Sequence, residues 1–229
     1  MSCLNVVMFF GHWMKAKKSI SNRKIFLFLG SIYQIFTHYE MLYDDSIFGN
    51  VNFILQGFYK RYPDYDYYWS VEYDVVFTGD WRTLINAFEQ TDSDLISCHI
   101  EKYDIKRNAH WDWWKPIVWV EEEIPLERCV KSFNPIFCLS NRALSFLDGY
   151  FRKGNCGHFE TIMSTALHFY GFKLTDMGGL GEFTPPEFRN KFYVQGVGIN
   201  NGTMRFRPEF LKEEIKALGV TDKLFHPLK

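Results

Sequence analysis

At 229 residues, with 47% apolar and 19% aromatic side chains, the chain is long enough to bury a substantial core and too apolar to stay disordered. Its 26 Lys and Arg against 27 Asp and Glu leave a formal charge of −1, which argues against a nucleic-acid binder working through a broad basic surface. No run nears the roughly 18 apolar residues of a membrane-spanning helix, and Met1 to Met14 lacks the basic start and small-residue cleavage site of a secretory signal.

In chain order, Val6 to Phe10 and Ile25 to Leu29 read as two short strands around the basic, polar stretch Lys15 to Lys24. Asn50 to Arg61 places Val51, Ile54, Leu55 and Phe58 at helical spacing and runs into Tyr62-Pro63. The next run, Tyr67 to Phe77, is β-branched and aromatic and carries Glu72 and Asp74 two residues apart. On a strand that spacing puts both carboxylates on one face, near the end where α/β folds place ligands. Two such acids are costly without a compensating cation or hydrogen-bond network. A divalent cation carrying phosphates would satisfy them, because hard ions take carboxylate oxygens. The bland alternative is a turn-capping Asp74 and a Glu72 paired with Lys or Arg.

Asp80 reads as the N-cap of a helix over Trp81 to Glu89. Strands follow at Leu95 to Ile100, Ile117 to Val120 and Phe133 to Leu139. A loop of aromatic residues, His110 to Lys115, lies among them. Ser140-Asn141-Arg142 caps a helix to about Arg152, and Glu160 to Tyr170 forms another, closed by Gly171. A short strand at Phe172 to Thr175, a loop-rich stretch from Gly178 to Gly202 and a polar helix from Pro208 to Leu218, closed by Gly219, complete the reading. Alternation of this kind predicts an α/β domain whose central sheet is mixed and mostly parallel, flanked by helices. The scattered cysteines (Cys3, Cys98, Cys129, Cys138 and Cys156) have no metal-ligand spacing and fit reduced thiols in a cytosolic protein. Asn201-Gly202-Thr203 matches a glycosylation acceptor and, since Met1 to Met14 does not read as a secretion signal, is expected to be a coincidence.

Four motifs in order carry a family resemblance. They are Tyr67-Tyr68-Trp69-x-x-Glu72-Tyr73-Asp74-Val75-x-Phe77-x-Gly79-x-Trp81; Leu139-Ser140-x-x-Ala143-Leu144; Gly157-His158-Phe159-Glu160-Thr161; and His226-Pro227-Leu228-Lys229. Together they resemble glycosyltransferases of the GT-A fold, over about residues 50–229. The resemblance implies one GT-A-like domain over 1–229, with 1–45 as a divergent or incomplete nucleotide-binding start. It implies a nucleotide-sugar donor, a UDP-sugar first, bound through Mn²⁺ or Mg²⁺. Asp74 would be a metal ligand and Glu72 a donor contact. His226 would complete the metal shell, and Lys229 would meet the diphosphate. Glu160 would be the base that activates the acceptor, a glycan or lipid-linked alcohol. Trp111, Trp113, Trp114 and His158 would bind that acceptor, since indole faces pack on pyranose rings. Such a protein would be cytoplasmic or peripheral to a membrane, with no nucleic-acid partner. Two rival readings stand beside it: a degenerate GT-A-like carbohydrate-binding or assembly protein, and a nucleotidyltransferase or phosphohydrolase using the same acids.

Overall fold

The computed structural model describes residues 39–40, 49–198 and 200–229, and the backbone of two strands before them, β1 (Val6–Phe10) and β2 (Ile25–Phe26). The helix expected from Asn50 is α1 (Asn52–Arg61), and the aromatic run after it is β3 (Tyr67–Val71). The expected strand at Ile25 to Leu29 lies beyond Phe26 outside the described residues, as does Cys3.

The remaining elements are β4 (Val76–Phe77), α2 (Trp81–Phe88), β5 (Leu95–Lys102), β6 (Ile117–Val118), β7 (Val130–Ser140), α3 (Asn141–Arg152), β8 (Cys156–Gly157), α4 (Phe159–Phe169), β9 (Leu174–Asp176), α5 (Lys212–Leu218) and β10 (Leu224–Phe225). Local chemistry explains their ends. The Asp80 carboxylate accepts from the Arg82 N–H and the Ser140 hydroxyl from the Ala143 N–H, so both caps satisfy a free first-turn donor. Gly171 and Gly219 follow α4 and α5 at φ 81° and 59°, the left-handed turn that glycine makes without a Cβ clash.

Six strands form the main sheet in the order β2-β1-β3-β7-β5-β9, and β4·β10 and β6·β8 form two small ribbons. The α/β class and the mixed sheet are as expected, but a mostly parallel sheet does not emerge from the ladders. The β1·β2, β1·β3 and β5·β9 ladders are parallel; β3·β7, β5·β7 and both ribbons are antiparallel. The reason is β7, an eleven-residue strand inserted between β3 and β5 against their direction.

Side-chain alternation divides the core between the two faces. Tyr68, Leu95, Phe137 and Leu139 meet residues of α1, α3 and α4, including Phe58, Leu147 and Met163. Trp69, Ile96, Ile136 and Cys138 meet α2 together with Phe188, Phe192 and Tyr193 from the long loop before β10. Cys98, Cys129, Cys138 and Cys156 are free and buried. Among the described residues no helix is long and apolar enough to cross a membrane.

Asp94 ties the sheet together at one end. It is 1% exposed and accepts from Ser140 Oγ (2.7 Å), Arg142 Nε (2.5 Å) and Nη2 (2.7 Å), and the Lys173 N–H (2.9 Å). Removing it strands a hydroxyl and an amide, whereas Arg142 is itself largely exposed. Asp94→Ala is therefore expected to cost about 3 kcal/mol and Arg142→Ala about 1 kcal/mol, read from urea unfolding midpoints.

Candidate active site

The site lies at the carboxyl end of β3. The strand stops at Val71, so Glu72 and Asp74 stand on a turn rather than on the strand itself. The turn is closed by the Val75 N–H on the Glu72 carbonyl (3.2 Å), and the Glu72 N–H donates to the Pro135 carbonyl of β7 (2.7 Å). Tyr73 between the acids faces solvent. The turn, not a shared strand face, sets the two carboxylates side by side.

The β4·β10 ribbon brings the third group. Val76 pairs with Phe225 and Phe77 with Leu224, which delivers the next residue, His226, to the acids, and the Leu228 N–H donates to the Asp74 carbonyl (2.9 Å). His226 Nε2 lies 3.4 Å from Glu72 Oε2 and 3.7 Å from Asp74 Oδ1, and ligand atoms of all three residues fall within 4.8 Å of one another. His226 Nδ1 is 2.8 Å from the Arg205 carbonyl, which can only accept, so this nitrogen carries a proton and Nε2 is turned to the acids.

A divalent ion fits this trio on two grounds. Asp74 Oδ1 is buried and lacks a hydrogen-bond partner, a costly state that a cation would relieve. Neighbouring ligands of an octahedral ion at ~2.1 Å stand about 3 Å apart, so the 3.4 and 3.7 Å separations from His226 Nε2 need only a small closure.

The same cavity, about 430 Å³, reaches across Phe133 and Pro135 to Glu160, His158, Trp111 and Trp113. Three local devices assemble this second half. The β6·β8 ribbon ties the aromatic loop to the start of α4, with Ile117 against Gly157, where a Cβ would stand 3.1 Å from the Pro116 carbonyl. Thr161 Oγ1 donates to the Trp113 carbonyl (2.9 Å). His158 is the N-cap of α4, its Nδ1 accepting from the Glu160 N–H (3.4 Å), and its ring stacks on Trp113 at 4.3 Å and 7°. Burial pushes the His158 pKa down to about 3, so the ring is neutral and a fit acceptor for that N–H.

Glu160 is only 8% exposed. Burial raises its carboxyl, the Asn134 N–H on Oε1 (3.1 Å) lowers it, the Glu72 charge raises it and Lys131 lowers it, leaving the pKa at about 8. Lys131 sits under the Trp111 ring (5.5 Å) and pairs with Glu101 (3.3 Å).

Seven of the nine expected site residues thus line one cavity: Glu72, Asp74, Trp111, Trp113, His158, Glu160 and His226. Two do not. Trp114 is 5% exposed, donates Nε1–H to the Asn108 carbonyl (2.8 Å) and packs edge-on beneath Trp111 (5.1 Å), so it supports the loop from inside. Lys229 is exposed, and its backbone N–H is held by the Phe210 carbonyl. The cation that does reach the cavity is Arg207, paired with the Glu209 carboxylate beside the exposed Phe206. It lies in a loop with no periodicity or motif, so no sequence signal marks it.

Residues 27–97 match the model of a family described as a protein of unknown function, DUF3405. The matched stretch holds Glu72 and Asp74 but neither Glu160 nor His226. None of the curated proteins matches the chain.

The raised carboxyl of Glu160 has a consequence for stability. Its folded-state value lies above the ordinary 4.5, so the fold binds this proton more tightly than the unfolded chain does. The associated stability is full below about pH 4.5 and is lost as pH rises to about 8. Glu160→Gln keeps an acceptor for the Asn134 N–H and removes the titration. The variant should match wild type near pH 4.5 and gain on it steadily to pH 8, by on the order of a few kcal/mol, in urea unfolding at a series of pH values.

Proposed function

We propose that the chain is a metal-dependent glycosyltransferase of the GT-A type, moving a hexose or related sugar from a nucleotide diphosphate to a hydroxyl of a glycan or lipid-linked acceptor. One observation carries the reading: a single cavity joins an acid-histidine trio suited to a divalent ion to a buried glutamate flanked by two indoles. The proposal includes Mn²⁺ or Mg²⁺, a UDP-sugar before other donors, and a cytoplasmic or membrane-peripheral location.

Asp74 and His226 would hold the ion, with Glu72 turned to the ion or to the donor sugar. When bound, the ion supplies charge neutralisation for the donor's diphosphate. Arg207 at the cavity mouth adds a cation for the leaving phosphates in place of Lys229. Glu160 takes the proton of the acceptor hydroxyl as that oxygen bonds to the sugar carbon and the carbon–phosphate oxygen bond breaks. A carboxyl held near the working pH is a stronger base than an ordinary surface glutamate. His158, neutral and stacked on Trp113, keeps the backbone of Glu160 in place, and Trp111 and Trp113 offer aromatic surface for a sugar ring.

A second reading, a carbohydrate-binding protein without transfer activity, draws on the exposed position of Lys229, which leaves Arg207 as the cation at the cavity. Thermal unfolding separates the two. UDP with Mn²⁺ at about a hundred times its Kd should add roughly 2.7 kcal/mol, a rise of about 5–10 °C for a chain of this size. Asp74→Ala should abolish that rise, and GDP or CDP should give less. No rise with any nucleotide, together with glycan binding that survives Asp74→Ala, would sink the transferase reading. For an active enzyme, Glu160→Gln should lower kcat by at least about a hundredfold while leaving the UDP and Mn²⁺ response intact, measured as nucleoside diphosphate release.

A further inference from the structure

His99 is a buried histidine that the proposed reaction does not use. It sits where β5 gains one residue against β7, between the pairs Cys98–Phe133 and Glu101–Lys131, at φ 48°. The extra residue flips the faces of the strand: Cys98 belongs to one core and Ile100 to the other. A left-handed conformation costs a residue with a Cβ about 1 kcal/mol or more, and persists where its surroundings enforce it.

Those surroundings are specific. Tyr193 Oη accepts from the His99 N–H (2.9 Å) and donates to Asp176, whose carboxylate also accepts from the N–H groups of Ile100, Gly178 and Gly179. The His99 ring is thereby aimed at the loop before β10, with Nε2 2.7 Å from the Met204 carbonyl. A carbonyl only accepts, so Nε2 carries a proton, and burial lowers the pKa of the ring. Met204 pairs with His226 in a parallel bridge. The peptides on either side hold His226 directly: its N–H donates to the Thr203 carbonyl (2.9 Å), its carbonyl accepts from the Arg205 N–H (3.2 Å), and its Nδ1–H meets the Arg205 carbonyl. Phe133 packs edge-on against both imidazoles, at 5.9 Å and 5.3 Å.

We propose that His99 is a positioning residue for His226: by gripping the Met204 carbonyl it fixes the Thr203–Arg205 segment that holds the His226 ring in one tautomer, with Nε2 toward Glu72 and Asp74. Tyr193 and Asp176 set the backbone of His99 for that grip. Only the consequence for metal affinity rests on the reading of His226 as a ligand.

The test measures the His226 tautomer by ¹⁵N NMR in metal-free protein, and Mn²⁺ affinity by titration, for wild type, His99→Leu, His99→Gln and Tyr193→Phe. Wild type should show the Nδ1–H form alone. His99→Leu should give a mixture of tautomers and bind Mn²⁺ about 10–100-fold more weakly, the size of effect seen for lost outer-shell partners of metal ligands. His99→Gln, whose amide reaches a similar distance, should restore the single tautomer, and Tyr193→Phe should shift the mixture in the direction of His99→Leu by less. A role confined to packing would lower unfolding midpoints and leave the tautomer untouched, and that result in folded His99→Leu would overturn the proposal. If His99→Leu does not fold, Tyr193→Phe, smaller by one oxygen, decides by the same measurement, with an unchanged tautomer again overturning it. If wild type binds no Mn²⁺, the metal reading fails while the tautomers still decide the role of His99.

Discussion

The site depends on an irregularity in β7. Between the pairs Ile96–Cys138 and Cys98–Phe133, β5 advances by two residues while β7 advances by five, and Ser97 fills the gap with hydrogen bonds to the Phe133 carbonyl (3.0 Å) and Asn134 Oδ1 (2.6 Å). A continuous ladder there would have spent the Asn134 N–H on β5. Freed from it, the Asn134 N–H anchors the Glu160 carboxyl, while the next residue, Pro135, extends the β3·β7 pairing by one bond and anchors the turn of Glu72 and Asp74 through its carbonyl. Two acids from distant parts of the chain are therefore indexed to consecutive residues of one strand. Pro135, which has no N–H to offer a ladder, is well suited to that stretch.

The electrostatics of the cavity follow from this arrangement. Glu72, Asp74, Asp112 and Glu160 line one cavity with Trp111, Trp113, Phe133 and Phe159, where burial and the Glu72 charge both oppose ionisation of Glu160. The fold answers differently at the two ends. At the turn, the acids keep some water and face an imidazole; at the start of α4, Glu160 loses water and holds its proton to about pH 8. Glu160 is thus set apart as the acid that exchanges a proton near neutrality, while Glu72 and Asp74 stand beside an imidazole.

Much of this was legible in the sequence because it rests on short-range rules. The caps at Asp80 and Ser140, the helices with strong apolar periodicity and the glycines after α4 and α5 stand within a residue or two of their expected places. So do the acids at the end of β3, although a turn and not the strand presents them. Less was legible where distant pairing decides the outcome. The antiparallel course of β7 is invisible to a pattern of apolar residues that reads alike in either direction, and the two-residue strands β4, β8 and β10 are too short to show any period. At the site, Trp114 could not be told from Trp111 and Trp113 by composition, since only packing decides which indole of a loop turns inward. Lys229 stands in a recognisable His-Pro-Leu-Lys motif yet lies outside the cavity, while Arg207, in an unpatterned loop, reaches it instead.

The β4·β10 ribbon joins residues near position 76 to residues near 225, and with the Thr203–Arg205 segment it brings His226 to its acids. Helices, and hairpin-like pairings within the core, form without closing so long a loop, whereas this one carries the entropy cost of joining segments far apart in the chain. The trio is complete only when β4 and β10 have paired. Without β10, Glu72 and Asp74 have no histidine opposite them, so a chain cut before Leu224 would lack a complete site.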